Sequence, residues 1–294
     1  MSFLIFASPK SGTTWLQRLL SCHPDVLCAE SRAFGDYYAP HMASRPHLTL
    51  EKYTSILSGY YAPTVNGLTR ADETFYRDLL FNTIDTFAAT SRLATGKPVY
   101  GEKLTPYRDT AAHVTEMVRE YHPKIKFVNL VRDGRDVIVS GAVQRLNLRL
   151  QQAPIDQRAA LEDALERRII PDIEFDLFLG HWTDAAEAGL RARQQFEHYL
   201  DARYERFLAD PHCAVTDLFR FLGVDAGAAT VSECVDSASF KVMSGGRETG
   251  QEDRHSFFRS GTVGDWEHWF TQAQRDEFDR RAGHLMRLTG YQDV

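Results

Sequence analysis

Nowhere in the 294-residue sequence does an apolar run reach the ~20 residues that a membrane-spanning helix needs, so no such span is expected. No charged-then-apolar leader precedes Phe3 either, and the expectation is a soluble, cytoplasmic protein. Cysteine is scarce. Cys22, Cys28, Cys213 and Cys234 are read as small core or boundary residues, which a reducing compartment keeps as free thiols. Cys22-His23 with Cys28 matches no common zinc spacing, and no metal is expected. An excess of positive charge is missing as well. The formal net charge of -6 argues against non-specific binding to nucleic acid or to an anionic membrane, while leaving room for one focused basic pocket. No Pro/Ser-rich linker, internal repeat or low-complexity tract divides the chain, so residues 1–294 are expected to form one domain.

What is present is an alternation of short apolar runs and longer helical stretches. With 43% hydrophobic and 25% charged residues, the chain can fill a sizeable core. Phe3 to Ala7, Pro98 to Gly101, Lys126 to Val131 and Tyr199 to Tyr204 read as strands, each separated from the next by at least one helix-like stretch. That order predicts an α/β fold: a central, mainly parallel sheet flanked by helices, with a phosphate-binding loop after the first strand. Leu50 to Leu93 and Ile155 to Ile170 read as helical and carry no chemical signature. Met243 to Gly264 has glycines and charges without periodicity, and a loop of that length makes a candidate lid.

Three polar segments carry the chemistry. In FLIFASPKSGTTWLQRLL, residues 3 to 20, an apolar strand gives way to Pro9, Gly12, Thr13 and Thr14, and Trp15, Leu16, Leu19 and Leu20 form one face of a helix. Strand, loop and helix N-terminus direct unpaired backbone N–H groups and the positive end of a helix dipole into one space, a site for phosphate or sulfate. Lys10 adds a full charge there. The ordinary phosphate loop, G-x-x-x-x-G-K-[ST], places its lysine after the last glycine, whereas Lys10 precedes Ser11-Gly12-Thr13-Thr14 and no glycine lies upstream. The second segment, KFVNLVRDGRDVIVSG, passes from a strand through Arg132-Asp133-Gly134-Arg135-Asp136 into a helix. Ligands of open α/β sheets collect beyond the carboxyl ends of the strands, so Arg132 emerges beside Lys10 if their strands are neighbours. It then offers a planar donor fork for a phosphate, with Ser140 adding a hydroxyl. The alternative is a surface cluster in which Arg132 and Arg135 pair with Asp133 and Asp136. The third segment, FFRSGTVGDW, residues 257 to 266, brings Arg259 and Gly261 ahead of an amphipathic helix that Asp265 is placed to cap.

In this order the three segments resemble the sulfotransferases that use 3′-phosphoadenosine 5′-phosphosulfate, and the likeness runs from the first strand to Trp266. The resemblance implies that Lys10, Ser11, Gly12, Thr13 and Thr14 hold the 5′-phosphate and sulfate, with Trp15 stacking on adenine. Lys10 would neutralise charge on the leaving phosphate. It further implies Arg132 and Ser140 at the 3′-phosphate, Tyr204 of RYERFLADP at adenine, and Ser239 and Phe240 of SFKVM along the adenine wall. Ala238 stands where many members carry threonine. Arg259, Ser260 and Gly261 fall on the family's last cofactor segment, where Ser260 replaces a lysine and removes one cation.

Cytosolic small-molecule members deprotonate the acceptor with the histidine of a lysine-threonine-histidine segment, and this chain has YGEKLTPYRD there. A glutamate-lysine pair followed by Thr-Pro-Tyr looks more like the carbohydrate sulfotransferases of the heparan type. By that likeness Glu102 is the general base and Lys103 an electrostatic helper. His23, His113, His181 and His255 compete for the role, His255 foremost because it lies in the candidate lid. The expected reaction is metal-free, in-line transfer of a sulfuryl group from that donor to a hydroxyl, or second in order an amine, of a small-molecule, carbohydrate or lipid acceptor. The rival readings are a nucleotide-dependent kinase, which the position of the lysine opposes, and a catalytically inert nucleotide-binding protein.

Overall fold

The computed structural model describes residues 1–30, 73–106 and 108–291. Residues 50–72 of the expected Leu50-to-Leu93 helix lie outside the described residues. Among the described residues five strands form one sheet, β1 (Phe3–Phe6), β2 (Val26–Glu30), β3 (Val99–Leu104), β4 (Lys126–Val131) and β5 (Tyr199–Arg203), in the order β2-β3-β1-β4-β5. Every pairing is parallel, so each connection is a crossover. The helices are α1 (Thr13–Cys22), α2 (Glu73–Thr95), α3 (Ala111–Tyr121), α4 (Gly134–Gln152), α5 (Ile155–Glu166), α6 (Asp172–Gln195), α7 (Tyr204–Ala209), α8 (Pro211–Leu222), α9 (Ala228–Ser237), α10 (Phe240–Met243) and α11 (Gln272–Leu288).

Helices cover both faces of the sheet, which is why β1 reads as an unbroken apolar run. Phe3 and Ile5 pack with Leu16 and Leu19 of α1 and Phe219 of α8. Leu4 and Phe6 turn to the opposite layer, with Val114 and Val118 of α3 and Ala188 of α6. A third cluster gathers α4, α6 and α11 around Trp182 and Phe278. β1 and β4 are direct neighbours, Phe6 registering with Asn129. The chain leaves β1 towards β2 and leaves β4 towards β5, so a crevice opens between their carboxyl ends.

Three elements depart from the expectation. β3 runs on to Leu104 instead of stopping at Gly101, because both β1 and β2 continue its ladder. Glu102 and Lys103 therefore lie inside a strand rather than after one. β2, at the edge of the sheet among the described residues, is a strand that the sequence reading did not predict. Asp265 does not cap the following helix: it opens a short 3₁₀ turn, and its carboxylate pairs with Arg259. Thr271 caps α11 in a reciprocal box with Gln274, a motif that satisfies two otherwise unpaired N–H groups at once.

Candidate functional site

The loop between β1 and α1 takes its shape from two left-handed residues, Lys10 at φ 72° and Gly12 at φ 90°. A side chain in that region costs on the order of 1–3 kcal/mol, so the surroundings must hold Lys10 there. Gly12 is constrained twice over, because a Cβ on it would come within 2.5 Å of the Tyr204 ring. As the residue preceding α1, Gly12 offers no side-chain cap, which leaves the first-turn N–H groups open to an anion. The buried Ser11 Oγ has no hydrogen-bond partner among the described residues.

The loop borders a cavity of about 520 Å³ at the β1/β4 crevice, lined by the cations Lys10, Lys103, Arg132 and Arg259. Arg132, at the end of β4, donates to the carbonyls of Lys10 at 3.2 Å and Thr262 at 3.4 Å. Its guanidinium lies 4.7 Å from the Tyr204 ring centroid, and its buried Nε has no hydrogen-bond partner among the described residues. Part of the internal pairing that the sequence allowed is present. Arg135 holds Asp133 at 2.7 Å, and Arg132 approaches Asp136 at 3.8 Å while still facing the cavity. Lys103 donates to Thr14 Oγ1 at 3.0 Å and meets Glu30 at 3.1 Å. Lys10 Nζ sits 4.3 Å from the Phe257 ring centroid. Burial, reinforced by the like charges of Arg132, Arg259 and Lys103, lowers its pKa from 10.5 to about 8.

The opposite wall is aromatic. Trp15 donates from Nε1 to the Ala238 carbonyl at 2.7 Å and stands edge-on to Tyr204 and Phe207. Gly261, at φ 67°, lets the backbone approach Phe240, whose ring lies 2.5 Å from the position a Cβ would take. Ser260 is buried, with its hydroxyl 2.9 Å from that of Thr262. Buried donors without partners, converging cations and flat apolar walls together fit an anionic nucleotide.

A family model for the sulfotransferase domain matches residues 2–290. The chain belongs to the sulfotransferase domain family. This family member is 26% identical over 168 residues to the 3-beta-hydroxysteroid sulfotransferase of Cavia porcellus, covering 54% of this chain and 55% of that protein. It is 27% identical over 164 residues to human sulfotransferase 1C2, covering 52% of each. The chain spans about half the length of the curated relatives it matches. Among solved structures, mouse sulfotransferase SULT7A1 complexed with PAP aligns with TM-score 0.55 at 19% identity, over 97% of this chain and 84% of that one. The sulfotransferase domain from the curacin biosynthetic pathway aligns with TM-score 0.53 at 14% identity, over 100% and 99%. These likenesses are of fold.

Within this sulfotransferase fold, every residue singled out for donor binding lines the cavity except Ser11, which is buried in the loop. Lys103 lines it too. Glu102 does not. It registers with Leu4, whereas Lys103 registers with Ile5, so the two side chains enter opposite layers. Glu102 accepts a hydrogen bond from the Tyr100 hydroxyl at 2.8 Å in the layer away from α1. Two carboxylates among the described residues do line the cavity, Asp236 near the end of α9 and Glu30 at the end of β2, and of the two it is Glu30 that is in register with Lys103. Sequence reasoning passed over Glu30; the available signal was a carboxylate closing the short run VLCAE.

The histidines divide. His23 is buried and bridges the Asp25 N–H and the Asp225 carbonyl. His113 is exposed on α3, and burial pushes His181 down to about 4. His255 meets Asn147 Oδ1 at 3.0 Å in a side chamber of about 150 Å³ that shares Lys10 with the main cavity. The span expected as a lid contributes Met243, Thr249 and residues 257–261 to the cavity wall.

Proposed function

We propose that the chain transfers a sulfuryl group from 3′-phosphoadenosine 5′-phosphosulfate to a hydroxyl of a small-molecule, carbohydrate or lipid acceptor. The observation that carries this is the convergence of Lys10, Lys103, Arg132 and Arg259 on one cavity at the β1/β4 crevice. When bound, the donor supplies an activated sulfuryl group and a phosphate leaving group. Lys10, Thr13, Thr14 and the first-turn N–H groups of α1 hold its 5′ end. Arg132, Ser140 and Arg259 hold its 3′-phosphate, and Trp15, Tyr204, Ser239 and Phe240 enclose its adenine. Lys10 and Lys103 are placed before the reaction begins, so they stabilise developing charge without reorganisation. Thr14 and Glu30 keep Lys103 in position.

Glu30 is our assignment for the group that takes the acceptor proton, because it shares the cavity and the α1 face of the sheet with Lys103. Glu102 is the competing reading, from sequence resemblance, and it faces the other layer. We also read residues 1–294 as one cytoplasmic domain. All four cysteines are free, and Cys22 and Cys213 are exposed, which suits a reducing compartment. No helix among the described residues is long and apolar enough to cross a membrane.

The test is transfer of labelled sulfate from the donor to a panel of phenols, sugars, lipids and amines, including a hydroxysteroid such as the guinea-pig relative is named for. Glu30→Gln should lower turnover by roughly 10²- to 10⁴-fold with nucleotide binding intact. Glu102→Gln should retain near wild-type turnover. The reverse pattern returns the role to Glu102. Nucleotide binding without transfer to any acceptor favours an inert binding protein.

A further inference from the structure

A knot of charge surrounds the FFR segment beyond the contacts assigned to the donor. Arg259 places Nη1 at 2.6 Å from Glu252 Oε1 and against Asp265, with 9% of its side chain exposed. Glu252 uses its other oxygen to meet Arg254 at 3.3 Å and Arg168 at 3.3 Å. Arg254 donates onward to the Leu165 carbonyl at 2.9 Å, which ties the loop to the end of α5. Arg247 fills the loop interior, donating to the carbonyls of Gln251, Phe258 and Arg259 at 2.9, 2.5 and 2.8 Å. Both carboxylates therefore take the same guanidinium nitrogen of Arg259. The other edge, Nε and Nη2, makes no hydrogen bond among the described residues, and Arg259 lines the cavity.

We propose that Glu252 is a positioning residue for donor recognition: it anchors Nη1 of Arg259 so that the free guanidinium edge meets the 3′-phosphate. This rests on the reading that Arg259 serves that phosphate. A long side chain loses rotamer freedom when it binds a ligand, and fixing one nitrogen in the free protein removes that loss beforehand. The local charge balance permits it. Arg168, Arg254 and Arg259 face Glu252 and Asp265, so the anchor carries no net negative charge that would repel a phosphate. Ser260 supplies no cation of its own beside Arg259, which leaves the aim of that one guanidinium more to decide.

Calorimetry with adenosine 3′,5′-bisphosphate and adenosine 5′-phosphate tests the assignment. Glu252→Gln keeps the size and a hydrogen-bonding oxygen but loses the charge. Bisphosphate affinity should fall about tenfold, the scale of one weakened charge-assisted contact, while monophosphate affinity stays unchanged. In a double-mutant cycle with Arg259→Ala, Glu252→Gln should add no further loss. Unchanged or tighter bisphosphate binding overturns the proposal, because the carboxylate is then idle or a competitor. An equal loss for both nucleotides overturns it too, as the mark of general damage to the loop. If Glu252→Gln does not fold, Glu252→Asp, whose carboxylate falls short of Arg259, is read by the same affinity ratio. If Arg259→Ala leaves that ratio as in the wild type, the 3′-phosphate assignment itself has failed, a result separable from failure at Glu252 alone.

Discussion

Lys10 is held in a state that its own ligand should change. Half-buried beside Arg132, Arg259 and Lys103, its ammonium has its pKa lowered from 10.5 to about 8. A lowered pKa means that the charge is present below about pH 8 and lost above it, and a bound anion reverses the shift by favouring the charged form. Nucleotide affinity should therefore weaken as pH rises through 8, with a proton taken up on binding around that pH. Calorimetry in two buffers of different ionisation heat reads the uptake directly. Lys10→Arg should remove it, because a guanidinium does not titrate in this range. Proton uptake that persists in Lys10→Arg would place the titrating group elsewhere.

At the scale of elements, the turn from α1 into β2 depends on a residue distant in sequence. α1 has no basic residue in its last turn, and its C-cap is His23 rather than glycine. Lys97, between α2 and β3, supplies the missing charge by donating to the carbonyls of Ser21, His23 and Val26 at 2.7, 2.9 and 3.1 Å. The contact matters to the site because α1 begins at the phosphate loop and β2 ends at Glu30. Lys97→Met leaves these acceptors without their donor and should cost about 2–3 kcal/mol in urea unfolding. A loss below about 0.5 kcal/mol would show that water replaces the ammonium without penalty.

At the scale of the molecule, the aromatic packing beneath the crevice and nucleotide binding are linked. Phe127 of β4 is fully buried, with ring centroids of Phe6, Phe196 and Tyr199 at 5.4, 4.5 and 5.8 Å. Phe127→Ala should cost about 3–5 kcal/mol, from lost burial and the cavity left behind. Adenosine 3′,5′-bisphosphate at a hundredfold excess over its Kd should return about 2.7 kcal/mol to either protein, since only the folded state binds it. Chemical denaturation with and without the nucleotide measures both effects. A nucleotide that shifts neither midpoint would refute the donor site as a whole.

Chemistry carried by neighbours in the chain was legible in the sequence alone. The lysine-led loop, the arginine after β4 and the apolar runs of β1 and β4 depend on local residue order, and the parallel α/β class follows from their alternation. The rest waits on partners from elsewhere in the chain. Alternation assigns side chains to faces only once a strand's extent is known, and β3 reaches Leu104 because Leu4, Ile5 and Phe6 on one side and Ala29 and Glu30 on the other continue its ladder. That extension sends Glu102 to one layer and Lys103 to the other. β2 likewise gains its strand form from pairing with β3, and this brings Glu30 beside Lys103. Asp265 and Glu252 read as loop carboxylates until folding sets both on Arg259, since ion pairing depends on distance in space rather than in sequence.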